Sequence, residues 1–357
     1  MSKTQSIPLS FISANSKNGF FSLYDKVFDT WAFDRLYLIA GGPGTGKSTF
    51  LRTLSAKAVQ KGIACEEIAC SSDPLSLDGV ILEASDRRIG VMDATPPHGR
   101  IVTLPAIAEE LVDLGAFWNT EKLLRHKESL LLLNKRKAMA YQRAYAFLRA
   151  LGAVWEEGRI SLLPYFDPEK ARRQIKHKIG TAKEKGEVKF RLLRAFSGMG
   201  ETILPVNDAK TDKMLFIAGN PNAAEIYLTY FEEVLKAMGI KRTVFLSPLD
   251  GESVDAIHLP DTGIFLLKDS LKQSGDVGRR IVADRFFRMP ETDGKEKHAL
   301  IASIKRMAQT ALADAKEAHA LMEAYYIDAM DFDGLEKFRN QKADEILNHL
   351  LQGKGNK

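Results

Sequence analysis

Short apolar runs in the first half of the chain alternate with glycine and polar residues. Four of these runs have the length and apolar content of β-strands, and they cover residues 9–14, 35–40, 63–69 and 89–93. After the second run, apolar residues recur at helical spacing over residues 48–61. Strands that alternate with helices predict an α/β fold.

Two longer stretches have helical spacing, one after each set of predicted strands. One apolar stripe covers residues 130–151 and the other covers residues 300–322. Similar phrases follow the two stripes, YFDPEKARRQ and DFDGLEKFRN. We therefore predict two appended helical segments, at about residues 108–180 and 276–357.

The composition is that of an ordinary globular protein. The chain has 357 residues, of which 45% are apolar and 27% are charged. At roughly 100–200 residues per domain, this length predicts two or three domains. No run approaches the roughly 18–20 apolar residues that span a bilayer, and the first ten residues lack an apolar signal-peptide core. We expect a cytoplasmic protein without a membrane partner.

The net charge of +5 is concentrated in one segment. Residues 168–194 contain ten Lys or Arg residues and three acidic residues. Such a segment is either a solvated helix and linker or a surface that binds nucleic acid. Aromatic residues are not interleaved with these charges as they are in many nucleic-acid readers, so a nucleic-acid partner has weak support.

The sequence GGPGTGKS at residues 41–48 matches the pattern G-x-x-x-x-G-K-[ST] and lies between a predicted strand and a predicted helix. Glycines let backbone N–H groups turn toward phosphate oxygens, and the helix N-terminus attracts the same anion. We predict a site for ATP or another nucleoside triphosphate. Lys47 is expected to reach the β- and γ-phosphates, Ser48 to ligate Mg²⁺ and Thr49 to contact the α-phosphate. The predicted binding residues are Gly41, Gly42, Pro43, Gly44, Thr45, Gly46, Lys47, Ser48 and Thr49.

Acidic residues near this loop are candidates for metal binding and catalysis. Asp93 follows an apolar strand, where an acid normally organises the magnesium of a nucleotide site, so we predict that Asp93 and Ser48 hold the metal. Ala94 follows Asp93, so the glutamate that polarises water in many motor ATPases is absent.

Asp73 and Asp78 lie in CSSDPLSLDGV, directly after another predicted strand. They would either orient water or a second substrate, or form turns with their own backbone. The predicted catalytic residues are thus Lys47, Asp93, Asp73 and Asp78. His98, in TPPH, is a weaker candidate because a histidine in this setting is more typical of a loop.

The segment IAGNPNAAEIYL at residues 217–228 is similar to IAGGPGTGKSTF at residues 39–50, but Glu225 replaces Lys47 and Ile226 replaces Ser48. The similarity extends to other residues, with Asp78 aligned to Asp255 and Gly90-Val91 aligned to Gly263-Ile264. A repeat at half the chain length indicates a duplication. We therefore predict duplicated P-loop NTPase-like parallel sheets, in repeats 1–180 and 181–357. Because the carboxylate of Glu225 would repel phosphates, the second repeat is expected to act as a scaffold or regulator.

Five segments carry a resemblance to a known family: NGFFSLYDKV, GGPGTGKST, CSSDPLSLDGVI, MDATPPH and LGAFWNTEKL. Over nearly its whole length the chain resembles bacterial tandem P-loop NTPases, which are described only as ATPases. The resemblance implies ATP binding at residues 41–49 and names no substrate. In that family both halves often carry the loop, whereas this chain has lost the second.

Several functions fit these patterns. The first is an ATPase whose hydrolysis drives a conformational change. The second is a small-molecule or nucleotide kinase, with Asp73, Asp78 or His98 at the acceptor site. The third is a nucleotide-sensing switch that binds a small-molecule or protein partner, and a DNA-associated ATPase rests only on the basic segment. The absent glutamate favours the second and third, but the ATPase requires the fewest assumptions.

Overall fold

The computed structural model describes residues 9–180, 184–206, 213–288 and 295–352. The chain forms two compact units, each built from segments of both halves of the sequence. The unit that contains the loop at residues 41–48, here the first-loop unit, holds the described residues among 7–10, Tyr24–Arg143 and Thr310–Lys357. The second-loop unit is named after the similar segment at residues 217–228. It holds the described residues in Phe11–Leu23 and Ala144–Gln309. The predicted boundary between the repeats 1–180 and 181–357 describes how the sequence arose, and it stays a prediction.

The strands of the described chain form two six-stranded sheets and two small hairpins. In chain order they are β1 Leu9–Ser10, β2 Ser13–Ser16, β3 Gly19–Ser22, β4 Arg35–Ala40, β5 Ala64–Ala69, β6 Leu77–Ala84, β7 Arg87–Asp93, β8 Glu109–Asp113, β9 Val188–Arg191, β10 Arg194–Ser197, β11 Gly200–Ile203, β12 Lys213–Ala218, β13 Arg242–Leu246, β14 Val254–Leu259, β15 Ile264–Lys268 and β16 Arg279–Val282.

The helices include two that are much longer than the rest. In chain order they are α1 Tyr24–Val27, α2 Lys47–Gln60, α3 Thr120–Arg125, α4 Lys127–Leu162, α5 Pro168–Ile179, α6 Pro221–Met238, α7 Lys295–Asp328 and α8 Phe332–Leu351. The long helices α4 and α7 each contribute residues to both units. In none of the described helices are length and apolarity sufficient for a membrane span.

The first-loop unit contains a sheet with the strand order β1-β5-β6-β7-β4-β8. Strand β4 runs parallel to β7 and β8, and β1 runs parallel to β5, whereas β6 is antiparallel to both of its neighbours. The predicted α/β class is confirmed, but the sheet is mixed and not purely parallel. The reason is local: only Ser85 and Asp86 separate β6 from β7, and so short a link cannot carry a parallel crossover.

The sheet of the second-loop unit has the order β16-β12-β15-β14-β13-β9. Strand β12 is parallel to β15 and β16, β9 is parallel to β13, and β14 is antiparallel to both neighbours. The two sheets therefore share strand order and direction, with β12 in the place of β4, β15 in the place of β7 and β14 in the place of β6.

The core of the first-loop unit lies between its sheet and two helices distant in sequence. Helix α2 buries apolar side chains against the sheet, and α8 adds its own apolar face to the same core. Each fully buried Leu or Phe in such a core contributes roughly 1.5–3 kcal/mol. The helical residues of this core are Phe50, Leu51, Leu54, Ala58, Leu335, Ala343, Ile346, Leu347 and Leu350. The helix that carries the first loop is thus held by the last helix of the chain.

The predicted helical segments begin later than expected. Residues 109–113 and 279–282 form the edge strands β8 and β16, because each pairs with the central strand of its sheet. The phrases YFDPEKARRQ and DFDGLEKFRN are also shifted by two residues relative to their alignment. Asp167 caps α5 by accepting from Lys170 N, and Asp331 caps α8 by accepting from Gly334 N, so these two aspartates are the equivalent positions.

Candidate functional site

Three glycines of the loop between β4 and α2 have positive φ angles. Gly41, Gly44 and Gly46 have φ values of 142°, 70° and 71°, which side chains rarely adopt. Helices of the same unit also pack closely on the loop. A Cβ atom at Gly44 would lie 2.8 Å from Ile327, and one at Gly46 would lie 3.0 Å from the guanidinium of Arg339. The backbone therefore favours glycine at all three positions, and the close approach of Ile327 on α7 adds a second reason at Gly44.

Lys47 reaches back over this loop. Its Nζ donates to the carbonyl oxygens of Gly41 and Gly42, at 2.8 and 2.9 Å, and lies 3.7 Å from Asp93 Oδ2. Ser48 Oγ accepts from the backbone N–H of Leu77 at 2.9 Å, at the start of β6. The first turn of α2 thus places an ammonium beside Asp93, at the end of β7, and a hydroxyl beside the start of β6.

Asp93 ends β7 next to the loop strand, with Ile39 as its partner in the sheet. Its Oδ1 accepts from the N–H and the hydroxyl of Thr95, at 2.8 and 2.6 Å. Burial raises the pKa of Asp93, and the neighbouring Asp78 adds to this effect, while Lys47 and Thr95 oppose it. Because β6 is antiparallel to β7, with Gly79 opposite Met92, the start of β6 brings Asp78 to the same sheet edge.

His98 lies in this site although the sequence made it only a weak candidate. Its Nε2 is 3.3 Å from Asp78 Oδ2, and its ring lies 4.5 Å from the ring of Tyr24. Possible ligand atoms of Asp78, Asp93 and His98 all lie within 4.8 Å of one another. Burial lowers the pKa of His98, but the interaction with Asp78 outweighs it and the pKa is raised.

Asp73 lies outside this cluster. It accepts from the hydroxyl of Ser76 at 2.8 Å and from Nζ of Lys316 at 3.1 Å, and its side chain is 40% exposed. Burial opposes ionisation, but these two donors outweigh it and lower the pKa of Asp73. The backbone of Ser76 also donates to Asp73 O, so the turn considered as the alternative for this residue is present. A catalytic role for Asp73 stays a prediction.

Two residues beside the loop have no signature in the sequence. His319 on α7 interacts electrostatically with Lys47, Asp73 and Lys137 of α4, and burial together with the two lysines lowers its pKa. Burial also lowers the pKa of Lys137, which is only partly exposed. Both residues come from apolar helical stripes far from the loop in sequence, so a local motif cannot identify them.

Glu225, in the segment at residues 217–228 that resembles the first loop, belongs to a buried ion-pair network. Glu225 Oε2 accepts from Lys268 Nζ at 2.9 Å and from Trp155 Nε1 at 2.8 Å. Lys268 also donates to Asp255 Oδ1 at 2.8 Å, and Arg194 Nε donates to Asp255 Oδ2 at 2.6 Å. Burial opposes ionisation of Asp255, but Arg194 and Lys268 outweigh it and lower its pKa to about 2. The charges of this network are compensated within the unit.

Strand register identifies the position that corresponds to Asp93 in the second unit. Ile39 of β4 pairs with Asp93, and Ile217 of β12 pairs with Lys268. The alignment of Gly90 with Gly263 is therefore wrong by two residues, because β15 places Phe265 at the level that Gly90 has in β7. The pair Lys47–Asp93 of the first-loop unit and the pair Glu225–Lys268 of the second-loop unit therefore have opposite arrangements of charge.

The basic segment lies partly on α5 in the second-loop unit. Lys170, Arg172, Arg173 and Lys176 are exposed on this helix. Residues 181–183 of the segment lie outside the described residues, and a nucleic-acid partner stays a prediction.

Comparisons with known proteins add no relative to this picture. No family model, no curated protein and no solved structure matches the chain.

Proposed function

We propose that this protein binds a nucleoside triphosphate, most simply ATP, at residues 41–49 and hydrolyses it. The observation that carries the proposal is Lys47, whose ammonium is held by two loop carbonyls and lies 3.7 Å from Asp93. Hydrogen bonds to backbone carbonyls can be exchanged for stronger, charge-assisted bonds to phosphate oxygens. The positive φ angles of the loop glycines and the N-terminus of α2 favour the same anion.

The donor atoms around the loop fit the magnesium ion that accompanies such a nucleotide. Ser48, Asp93 and Asp78 offer oxygen atoms, which Mg²⁺ prefers, and the last two are buried carboxylates that lie close together. We assign Ser48 and Asp93 to this ion. When bound, Mg²⁺ would neutralise phosphate charge, while Lys47 contacts the terminal phosphates and Thr49 the α-phosphate.

Phosphoryl transfer to an acceptor is the second candidate, and the pair formed by Asp78 and His98 favours it. The imidazole and the carboxylate are 3.3 Å apart, beside Asp93 and within the same unit. A histidine oriented by a carboxylate can accept the proton of an attacking hydroxyl group, from water or from a small molecule. The same pair therefore serves an ATPase or a kinase, and only the identity of the nucleophile separates the two functions.

We further propose that the two halves arose by duplication of a P-loop NTPase-like unit, as in the bacterial tandem P-loop family that the sequence resembles. Supporting this, the two sheets have the same strand order and directions. The second loop then acts as a scaffold or regulator, because Glu225 places a carboxylate at the position of Lys47 and its charge is already neutralised by Lys268.

The test separates binding, hydrolysis and transfer. Calorimetry with Mg-ATP and Mg-GTP should give one site per chain, and Ser48→Ala should chiefly remove the dependence on magnesium. Incubation with labelled Mg-ATP, with and without a metabolite pool, should release inorganic phosphate in both cases. Label in a metabolite would establish the kinase, and binding without turnover would establish a nucleotide-sensing switch. Two sites per chain, or none, would overturn the proposal.

A further inference from the structure

Three metal-ligating side chains from different segments meet at one edge of the sheet in the first-loop unit. Asp78 comes from the start of β6, Asp93 from the end of β7 and His98 from the loop that follows β7. Their possible ligand atoms lie within 4.8 Å of one another. An ion with bonds of 2.0–2.2 Å holds its ligand atoms at most about 4.4 Å apart, so these side chains need only a small movement to share one ion.

The cluster is buried and contains two carboxylates. Asp78 and Asp93 are 5% and 7% exposed. Lys47 lies 3.7 Å from Asp93, and no other lysine or arginine within the described residues forms an ion pair with either aspartate. Asp78 Oδ2 is buried and has no hydrogen-bond donor in good geometry among those residues, although His98 Nε2 lies 3.3 Å away. Buried carboxylates are expected to be paired or to coordinate a metal.

We propose that Asp78, Asp93 and His98 form a binding site for a divalent transition-metal ion of the series from Mn²⁺ to Zn²⁺, which loads without nucleotide. Two carboxylate oxygens and one imidazole nitrogen suit these ions, whereas Mg²⁺ prefers oxygen ligands alone. The site goes beyond the proposed nucleotide function because it does not involve Ser48 or the loop backbone. It shares Asp93 with that function, and it shares Asp78 and His98 with the pair proposed to accept the proton of the nucleophile, so the test uses protein without nucleotide.

Three protein ligands would leave coordination positions for water or another oxygen ligand. The phosphate loop is adjacent, since Asp93 also faces Lys47. An ion in this site would therefore add a second positive charge beside Lys47. The class of ligand that fits the remaining positions is a phosphate oxygen or a water molecule.

The experiment is a titration of the full chain, free of metal and nucleotide, with Mn²⁺, followed by electron paramagnetic resonance. We expect one Mn²⁺ per chain and a nitrogen modulation in the pulsed spectrum from the imidazole of His98. His98→Ala should abolish this modulation, and both His98→Ala and Asp78→Asn should weaken Mn²⁺ binding by roughly tenfold or more, since even loss of an outer-shell partner costs about 10–100-fold. His177→Ala, a histidine exposed on α5, is the control and should bind as the wild type does.

Two results would overturn the site: no Mn²⁺ binding without nucleotide, or binding that His98→Ala leaves unchanged. His98→Gln retains a polar side chain of similar length, so it replaces His98→Ala if circular dichroism shows that the alanine variant does not fold. Nucleotide binding measured by calorimetry in Mg²⁺ is a separate result. ATP binding without a Mn²⁺ site would leave the proposed function intact, and a Mn²⁺ site without ATP binding would refute only that function.

Discussion

The two loop regions contain the same ion pair with its charges exchanged. In the first-loop unit, Lys47 at the start of α2 faces Asp93 at the end of β7, and the charged atoms are 3.7 Å apart. In the second-loop unit, Glu225 in α6 faces Lys268 at the end of β15 at 2.9 Å. In both, the strand that supplies the second residue is paired in parallel with the strand before the loop.

The surroundings of the two pairs differ more than their positions. The Lys47 side chain is 16% exposed and its partners are backbone carbonyls and one carboxylate, so it is free to contact an anion. The side chains of Lys268 and Glu225 are 5% and 2% exposed, and both have further partners in Asp255 and Trp155. The pair in the first-loop unit thus keeps its lysine partly exposed, whereas the pair in the second-loop unit belongs to a buried network with further charged partners.

The largest effect is expected from Lys268→Met. This change removes the lysine that pairs with the buried Glu225 and removes one of the two cations at Asp255. Removing one partner of a buried pair costs about 3–5 kcal/mol in free energy of unfolding. Urea unfolding followed by circular dichroism measures this loss.

The control for this variant is Lys297→Met, in the same unit. Lys297 pairs with Glu157 on the surface, where an ion pair contributes about 0–1 kcal/mol. The double variant Lys268→Met/Glu225→Gln should recover part of the loss, because it also removes the unpaired carboxylate. Equal effects of Lys268→Met and Lys297→Met would show that the network is not a stabilising element.

The second effect concerns nucleotide affinity. Lys47→Ala removes the ammonium that is expected to contact the phosphates, and charge-assisted hydrogen bonds contribute about 1.5–3 kcal/mol each, so affinity should fall by roughly a hundredfold. Calorimetry with Mg-ATP measures this loss of affinity. Lys57→Ala removes the same charge from the same helix, where the lysine pairs with Asp344, and it should leave affinity unchanged. An unchanged affinity in Lys47→Ala would place the nucleotide elsewhere.

Local signals in the sequence were sufficient for the parts of the fold that depend on neighbouring residues. The bounds predicted for β4 agree with the structure, and α2 begins at Lys47, one residue before its predicted start. The apolar run and the glycine loop are short-range features, and both are present in the folded unit as β4 and the loop that follows it. The run at residues 9–14, predicted as one strand, is divided between β1 and β2, and β3 was missed. Strands β6 and β8 were also missed. The first directly follows the turn at Ser76, and the second begins with the polar pair Glu109-Glu110, so neither has the pattern of an isolated buried strand.

The remainder of the site depends on tertiary contacts that no local pattern contains. His98 reaches Asp78 only because β6 and β7 form an antiparallel pair, and His319 interacts with Lys47 from a helix distant in sequence. The sequence also did not show which residue of the second-loop unit lies at the level of Asp93 in its sheet. Sequence similarity aligned Gly90, which lies within β7, with Gly263, which precedes β15, whereas the pairing of the strands places Lys268 at the level of Asp93.

The third effect is on turnover. Asp93→Asn should lower the rate of ATP hydrolysis by at least tenfold, which corresponds to about 1.4 kcal/mol of activation free energy. The reason is that the neutral amide no longer organises the metal, while the Lys47 contacts to the loop carbonyls persist and nucleotide still binds. Phosphate release at saturating Mg-ATP checks this. Hydrolysis at the wild-type rate would refute the assignment and make Asp73 or Asp78 the candidate.

The smallest effect is the change in stability of the same Asp93→Asn variant. The sign of this change distinguishes Asp93 from Asp255. Because the folded pKa of Asp93 lies above its ordinary value of 3.8, ionisation opposes folding, and this penalty is present above the folded pKa and disappears as the pH falls below 3.8. Asp255 behaves in the opposite way: its pKa of about 2 adds stability above pH 3.8 that is lost as the pH falls toward 2.

Asp93→Asn should therefore raise the free energy of unfolding at pH 7 by about 0.5–1 kcal/mol, as relief of a strained functional site commonly does. Urea unfolding at pH 7 and near pH 4 measures the difference, which should shrink at the lower pH. A loss of stability at pH 7 would mean that Asp93 stabilises its unit as Asp255 does, and that the contrast between the two loops is wrong for this pair of residues.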